Sequence, residues 1–373
     1  MKGLDYSRPL SLYIHVPFCT RKCDYCAFYS VPYSKVPEKW IDRYVDIIIA
    51  EIDALNRDYG KAYYTVYIGG GNPAMIGWEN IRRIVEKASE NGRAEEVTVE
   101  MNPENVSASI LSLSDIVTRV SVGIQSMDEN VLGMLGRNAK REDNIRALSL
   151  LSSSPFRWNA DIITAVPGES VETTLMDIEA VASYNPGHIS FYCLTFEENT
   201  PLIARAKPIG EEEETAFLSS GWAKLKELGY EHYEVSAFAR AGERSKHNMV
   251  YWNLGQYVGF GAGAEGSIGW QRVTTLRDSE TVDAFVAAPE MKCTPLTATE
   301  TEEEFLLVAL RTKDGIDKKL YENRFGHSFD SLYSEAIKRV SKDSYVDSPD
   351  CFRVTEEGFM SLDWIILQLA MGL

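Results

Sequence analysis

Short apolar runs alternate with longer amphipathic segments through the first two-thirds of the chain. The strand-like runs are Ser11–Val16, Thr65–Ile68, Val97–Met101, Arg119–Ile124, Asn159–Val166 and Ile189–Phe196. Segments with apolar residues at helical spacing are Glu38–Tyr59, Glu79–Asn91, the stretch that ends near Ser152, Glu172–Tyr184 and Glu212–Leu228. Strands that alternate with helices of this length predict βαβ units and a parallel sheet.

Six such units predict an α/β fold, a partial (β/α)6 TIM-like barrel that stays open on one side, since a closed TIM barrel uses eight. We assign this barrel to residues 1–235. Residues 236–296 form a connecting region rich in glycine and aromatic residues, with weak periodicity. Residues 297–373 combine helices with a short ribbon near Phe352. This last pattern predicts a small winged-helix-like α+β module.

Charge limits the classes of partner. The 373-residue chain carries a formal net charge of -17. The predicted C-terminal module holds 9 Lys and Arg against 15 Asp and Glu. Nucleic-acid binding requires basic side chains against phosphates, so we expect no nucleic acid. The sequence has no secretory h-region and no apolar run of about 18 residues, which predicts a cytoplasmic location.

Three of the six cysteines lie within eight residues, as Cys19-x3-Cys23-x2-Cys26 directly after the first predicted strand. Thiolates are the ligands that select iron–sulfur clusters. Three thiolates on a four-iron cluster leave one iron without a protein ligand, as a reactive metal site requires. A zinc site and a chance grouping are the alternatives. Zinc needs a fourth ligand, and His15 is awkwardly placed on the strand.

The segment from Tyr13 to Cys19 (YIHVPFC), together with this cysteine spacing, resembles the radical-SAM superfamily. More narrowly it resembles the coproporphyrinogen-dehydrogenase-like branch. The resemblance implies a [4Fe-4S] cluster on Cys19, Cys23 and Cys26, with S-adenosylmethionine on the open iron. It also implies an electron donor, because one electron cleaves the bound S-adenosylmethionine to give an adenosyl radical.

The resemblance further implies which residues contact S-adenosylmethionine. Most of them lie near the carboxyl ends of predicted strands, where barrel ligands bind. Asn72 stands where family members usually carry Thr. Tyr25 is expected to stack on adenine, to shield the cluster, or both. The expected contacts are Tyr13, Tyr25, Gly70, Gly71, Asn72, Glu100, Gln125, Arg137 and Asp161.

A second motif is His247-Asn248-x-x-Tyr251-Trp252. Imidazole is a common axial ligand of haem iron, although a capped loop with two packed aromatic side chains is the favoured interpretation of such a hexad on its own. The hexad resembles that of the HemW-like haem-chaperone subgroup of the same family. That resemblance implies that His247 binds haem and that the chain passes haem to recipient haem proteins. Ala139 and Glu265 replace histidines that are usual in the subgroup.

The rival within the branch is an enzyme that acts on a tetrapyrrole by adenosyl radical chemistry, like the oxygen-independent coproporphyrinogen III oxidase. That enzyme has a longer segment before the cluster, whereas 18 residues precede Cys19 here. It has a further cysteine where Phe28 stands, and it lacks the hexad. We therefore expect no catalytic residue for that reaction. The sequence leaves open whether the chain forms a homodimer and whether its recipient is membrane-associated.

Overall fold

The computed structural model describes residues 3–269, 271–275, 281–287, 289 and 291–371. The β-strands in this part of the chain are β1 (Leu10–Val16), β2 (Phe18–Cys19), β3 (Val31–Pro32), β4 (Thr65–Gly70), β5 (Glu96–Met101), β6 (Arg119–Gln125), β7 (Arg157–Thr164), β8 (His188–Cys193), β9 (Glu231–Glu234), β10 (Ala237–Ala239), β11 (Gln256–Phe260), β12 (Glu265–Ile268), β13 (Gln271–Thr275), β14 (Met291–Pro295), β15 (Ile316–Asp317), β16 (Tyr345–Asp347) and β17 (Cys351–Val354). The α-helices are α1 (Glu38–Tyr59), α2 (Trp78–Ala88), α3 (Glu129–Met134), α4 (Arg141–Ser152), α5 (Val171–Ala182), α6 (Glu211–Glu227), α7 (Lys246–Trp252), α8 (Thr281–Ala287), α9 (Ala298–Ala309), α10 (Lys318–Phe325), α11 (Phe329–Ile337), α12 (Glu356–Phe359) and α13 (Leu362–Ala370).

The six predicted strands are β1, β4, β5, β6, β7 and β8, and they lie side by side in that order, all parallel. All seven residues of β6 are buried, as expected for a parallel strand that is covered on both faces. The predicted α/β fold with six parallel strands is confirmed.

The sheet is larger than the sequence pattern predicts. β11 pairs in parallel with β1, and β12, β13 and β14 follow it in antiparallel order. On the other edge, β10 and β9 add antiparallel strands next to β8. Periodicity gives no sign of these strands because they are short, and two of them, β11 and β12, contain glycine at close contacts. A Cβ at Gly259, for example, would lie 2.2 Å from the backbone oxygen of Glu265.

Side chains alternate between the two faces of the barrel strands. On β6, Arg119, Ser121, Gly123 and Gln125 line an interior cavity. The intervening Val120, Val122 and Ile124 pack in the main hydrophobic core.

The cysteine loop and α7 lie at opposite ends of the barrel. The loop follows the carboxyl end of β1. The backbone amide of His247 in α7 donates to the carboxylate of Glu96, the first residue of β5, at 3.0 Å. Thr65, which contacts the same histidine, begins β4. α7 therefore packs against the amino ends of the strands.

The C-terminal segment forms a small α+β module, as predicted. Its three short strands pair antiparallel in the order β15-β17-β16, and helices α9 to α13 pack around them. In the described part of the chain, no helix is both long enough and apolar enough to cross a bilayer.

Candidate functional site

An interior cavity of about 600 Å³ connects the two sequence motifs. All three motif cysteines line it, and so does His247. The predicted S-adenosylmethionine contacts that line it are Tyr13, Tyr25, Gly70, Gly71, Glu100, Gln125, Arg137 and Asp161. Asn72 lies behind this wall, where its amide donates to Asn105 Oδ1 at 2.7 Å.

The cysteine thiols surround the cavity at the carboxyl end of β1. Burial raises the pKa of the Cys19 thiol to about 12, and the nearby Cys26 and Cys23 add to that shift. Burial also raises the pKa of Cys26. Metal binding deprotonates thiols, so a cluster bound by these cysteines would displace their protons. Among the described residues, no three His, Cys, Asp or Glu side chains meet closely enough to hold a single metal ion.

The cysteine loop is anchored through Asp24. The Asp24 amide donates to the carbonyl of Leu135 at 3.0 Å, and its own carbonyl accepts from the amide of Leu202 at 2.8 Å. Its carboxylate pairs with the guanidinium of Arg205 and lies 3.7 Å from that of Arg21. Sequence analysis missed this anchor. It joins three distant segments, and it fixes Asp24, one of the two residues between Cys23 and Cys26.

Gly136 should be indispensable for this anchor. Its φ is +66°, and an added Cβ would lie 2.4 Å from Cγ of Asp24, whose carboxylate is held by Arg205. The left-handed conformation alone costs a non-glycine residue about 1–2 kcal/mol. We expect Gly136→Ala to lower the thermal midpoint and the iron retained per chain after reconstitution.

Gly133→Ala is the matched control for this prediction. Gly133 lies in α3, three residues earlier, and a Cβ there would have no neighbour within 4 Å. Alanine is favoured over glycine in a helix, so this variant should be as stable as the parent or slightly more stable. Equal iron content and equal midpoints in both variants would contradict the role given to Gly136.

Glycines after β4 let the chain pass close to the cysteine loop. The amide of Gly71 donates to the carbonyl of Val16 at 2.8 Å. A Cβ on Gly71 would lie 2.9 Å from the carbonyl oxygens of Val16 and Phe18 and 3.0 Å from Sγ of Cys19. This segment therefore presents bare backbone beside the cysteines, as a tightly bound small ligand requires.

Two half-buried carboxyls, those of Glu100 and Asp161, face the cavity from neighbouring parts of the sheet. Burial raises the pKa of Glu100 to about 7, and the nearby Asp161 contributes to the shift. Burial also raises the pKa of Asp161, whose carboxylate accepts from the amide of Asn159 at 2.7 Å. The Gly70 amide lies 3.4 Å from Glu100 Oε2. Hydroxyl groups of a bound ligand would donate hydrogen bonds to these two carboxylates, in place of the water that solvates an exposed carboxylate.

Several buried polar atoms beside the cysteines have no partner. They are Oε1 of Gln125, Nε of Arg137 and Oδ1 of Asn72. Gln125 also has a φ of +67°, which is a strained conformation for a residue with a side chain. The Arg137 guanidinium lies 3.5 Å from Sγ of Cys23. Unsatisfied donors and acceptors next to three thiols fit a charged, polar ligand bound against a cluster.

His247 is completely buried at the other end of the cavity. Its Nδ1 lies 2.7 Å from Oγ1 of Thr65, and its Nε2 lies 2.7 Å from the hydroxyl of Tyr251. The ring stacks on Tyr67 with a centroid separation of 5.0 Å. Burial lowers the pKa of His247 to about 3, so the imidazole is neutral at physiological pH. Coordination of haem iron requires one of the two ring nitrogens to give up its present partner.

Comparison with known proteins places the chain in a family. Residues 13–181 match the Radical SAM superfamily, and residues 296–360 match the HemN C-terminal domain. Heme chaperone HemW of Lactococcus lactis subsp. lactis is 30% identical over 367 residues, covering 94% of this chain and 95% of that protein. Heme chaperone HemW of Escherichia coli strain K12 is 29% identical over 371 residues, covering 96% and 97%.

This chain belongs to the HemW family of radical-SAM proteins. Its fold also matches coproporphyrinogen III oxidase (HemN) from Escherichia coli, with a TM-score of 0.80 over 98% of this chain and 91% of that one. At 20% identity, the match shows a shared fold.

Ala139 and Glu265 stand where histidines are usual in HemW, and each has defined surroundings. Ala139 is buried, where a histidine would need hydrogen-bond partners. Glu265, on β12, lies 3.6 Å from the guanidinium of Arg272.

Phe28 lines the cavity but is 68% exposed, so it lies at the cavity mouth beside the cysteine loop. Cys193 also lines the cavity, and burial raises the pKa of its thiol.

Proposed function

We propose that this protein is a haem chaperone, which binds haem and delivers it to haem-dependent proteins. The observation that carries the proposal is the position of His247, because the imidazole of the second motif lines the same cavity as the three cysteines. Similarity to HemW proteins over nearly the whole chain supports the same conclusion. Haem is the cargo in this proposal, and recipient haem proteins are the partners.

The proposal includes a [4Fe-4S] cluster on Cys19, Cys23 and Cys26, with S-adenosylmethionine beside it. When bound, this pair supplies an adenosyl radical after one-electron reduction, and an external electron donor is therefore part of the proposal. The chain's own residues bind and orient S-adenosylmethionine. In this proposal Glu100 binds the ribose hydroxyls of S-adenosylmethionine, and Arg137 binds its methionine carboxylate.

The remaining assignments follow the shape of the cavity wall. The backbone of Gly70 and Gly71 approaches the methionine amine, and Tyr25 covers the adenine. Asn72 supports the glycine segment from behind, since its amide already binds Asn105. Gln125 and Asp161 supply polar contacts from β6 and β7, and Tyr13 supplies one from β1. Their shared lining of one cavity supports these roles.

Haem transfer to an apo-peroxidase tests the proposed function. Protein loaded with haem and freed of excess haem should restore peroxidase activity, even with a haem-binding scavenger present at a concentration that blocks transfer from free haem. Coproporphyrinogen III should remain unconsumed in a parallel anaerobic reaction with S-adenosylmethionine and reductant. Consumption of coproporphyrinogen III with formation of 5'-deoxyadenosine, and no restored peroxidase activity, would support the enzyme alternative instead.

A further inference from the structure

Arg119 is a buried cation inside the barrel to which the proposed function gives no role. It is the first residue of β6, it is 3% exposed, and it lines the cavity. It points to the same side of the strand as Ser121, Gly123 and Gln125, which line the cavity too. Its guanidinium therefore faces the interior space and not the hydrophobic core.

Within the described residues, the guanidinium of Arg119 makes no hydrogen bond and no ion pair. Two other arginines of the barrel, Arg137 and Arg157, differ in this respect. Arg137 donates to the carbonyl of Gly123 at 2.7 Å, and Arg157 pairs with the carboxylate of Glu243 at 2.7 Å. A guanidinium has five N–H donors, and leaving them unpaired in a buried site is costly. A ligand in the cavity would satisfy them.

The surroundings of Arg119 identify the kind of ligand. Glu100 and Asp161 lie close enough for its charge to lower the pKa of both carboxyls, but neither reaches ion-pair distance. Thr98 lies directly opposite Arg119 on β5, and its buried hydroxyl has no partner. The unpaired guanidinium of Arg119 lines the cavity and offers its donors to an acceptor group of a ligand. Arginine pairs with a planar carboxylate through two parallel hydrogen bonds.

We propose that Arg119 anchors a carboxylate of the tetrapyrrole cargo, in the part of the cavity next to His247. This inference rests on the proposed haem-binding function. The propionate groups of haem supply the carboxylate. The carboxylate of S-adenosylmethionine is assigned to Arg137, beside the cysteines at the other end of the cavity, so it does not compete for this position. Arg119 would thus fix the orientation of haem, while His247 contacts its iron.

Binding of haem and haem dimethyl ester to the wild-type protein tests the anchor without any substitution. The ester keeps the iron and the ring but lacks ionised carboxylates. A hydrogen bond to a charged group contributes about 1.5–3 kcal/mol, which corresponds to a roughly 10- to 100-fold difference in Kd. We expect the ester to bind more weakly by that factor in a titration followed by the Soret band.

Substitution assigns the difference to Arg119. In Arg119→Gln the Kd for haem should rise to that for the ester, while the Kd for the ester stays unchanged. Arg119→Lys should keep part of the preference, because it retains the charge but not the bidentate geometry. Arg240→Gln is the control, since Arg240 stacks over Tyr230 and does not line the cavity. Thermal unfolding of each variant identifies any loss of folding.

The outcomes separate the anchor from the proposed function. If the wild type binds haem and its ester equally well, the anchor is wrong while haem binding stands. If Arg119→Gln weakens both ligands by the same factor, Arg119 has a structural role and the anchor is again wrong. If the wild type binds neither ligand, the proposed function itself fails, and the propionate anchor fails with it.

Discussion

Replacement of Cys19, Cys23 and Cys26 with Ala should leave the anaerobically reconstituted protein without iron, sulfide or the cluster's charge-transfer absorbance. The three thiols line one cavity, and Cys23 and Cys26 contribute to the raised pKa of Cys19. Each single substitution should also reduce cluster content strongly, because a four-iron cluster held by two thiolates has two open irons. Iron, zinc and acid-labile sulfide per chain are the quantities to measure.

The other cysteines provide controls for this result. Cys293 is exposed on β14 and Cys351 lies in the C-terminal module, so alanine at either position should leave iron and sulfide unchanged. Alanine at Cys193 is a more informative control than alanine at Cys293 or Cys351, because Cys193 lines the same cavity as the three motif cysteines. Full iron and sulfide in the triple variant would overturn the cluster assignment. Stoichiometric zinc in the wild type, with neither iron nor sulfide, would support the zinc alternative.

The barrel strands could be predicted because each is a short segment with apolar residues in a run or at alternate positions, beside at least one segment of helical spacing. The strands that widen the sheet could not. β11 and β12 contain glycines that meet neighbouring backbone atoms, and such contacts depend on the partner strand and not on local sequence. Packing across the sheet therefore determines these elements, whereas the local sequence pattern suffices to predict the six barrel strands β1, β4, β5, β6, β7 and β8.

In the candidate site, too, some features could be predicted from local sequence, whereas others depend on contacts between distant segments. Spacing alone identified the three cysteines, which lie within eight residues. The Asp24–Arg205 pair joins residues 181 positions apart, so no local pattern reveals it. Arg119, by contrast, could have been singled out from the sequence. Its alternation with Ser121, Gly123 and Gln125 puts it on the same face as a predicted ligand residue, and an arginine on an interior face of a barrel strand is unusual enough to single out.

Replacement of His247 with Ala should abolish saturable haem binding, as followed by the Soret band of the reconstituted protein. Burial keeps the imidazole neutral, with a pKa of about 3, so no proton has to leave before iron binds. Between pH 5 and 8 the protonation state of His247 therefore stays the same, and it should cause no change in haem affinity over this range. His327→Ala is a suitable control, because His327 lies in the C-terminal module and pairs with Glu302 at 2.9 Å.

The partners of His247 make a sharper version of this prediction possible. Tyr251 occupies Nε2 and Thr65 occupies Nδ1, so iron has to displace one of them. If Nε2 binds iron, Tyr251→Phe removes a competing hydrogen bond of about 0.5–1.5 kcal/mol and should tighten haem binding about 2- to 12-fold. Tighter binding in Tyr251→Phe together with loss in His247→Ala would identify Nε2 as the ligand. Undiminished binding in His247→Ala would show that another group holds the iron, and the buried imidazole would then serve to pack α7 against the amino ends of β4 and β5.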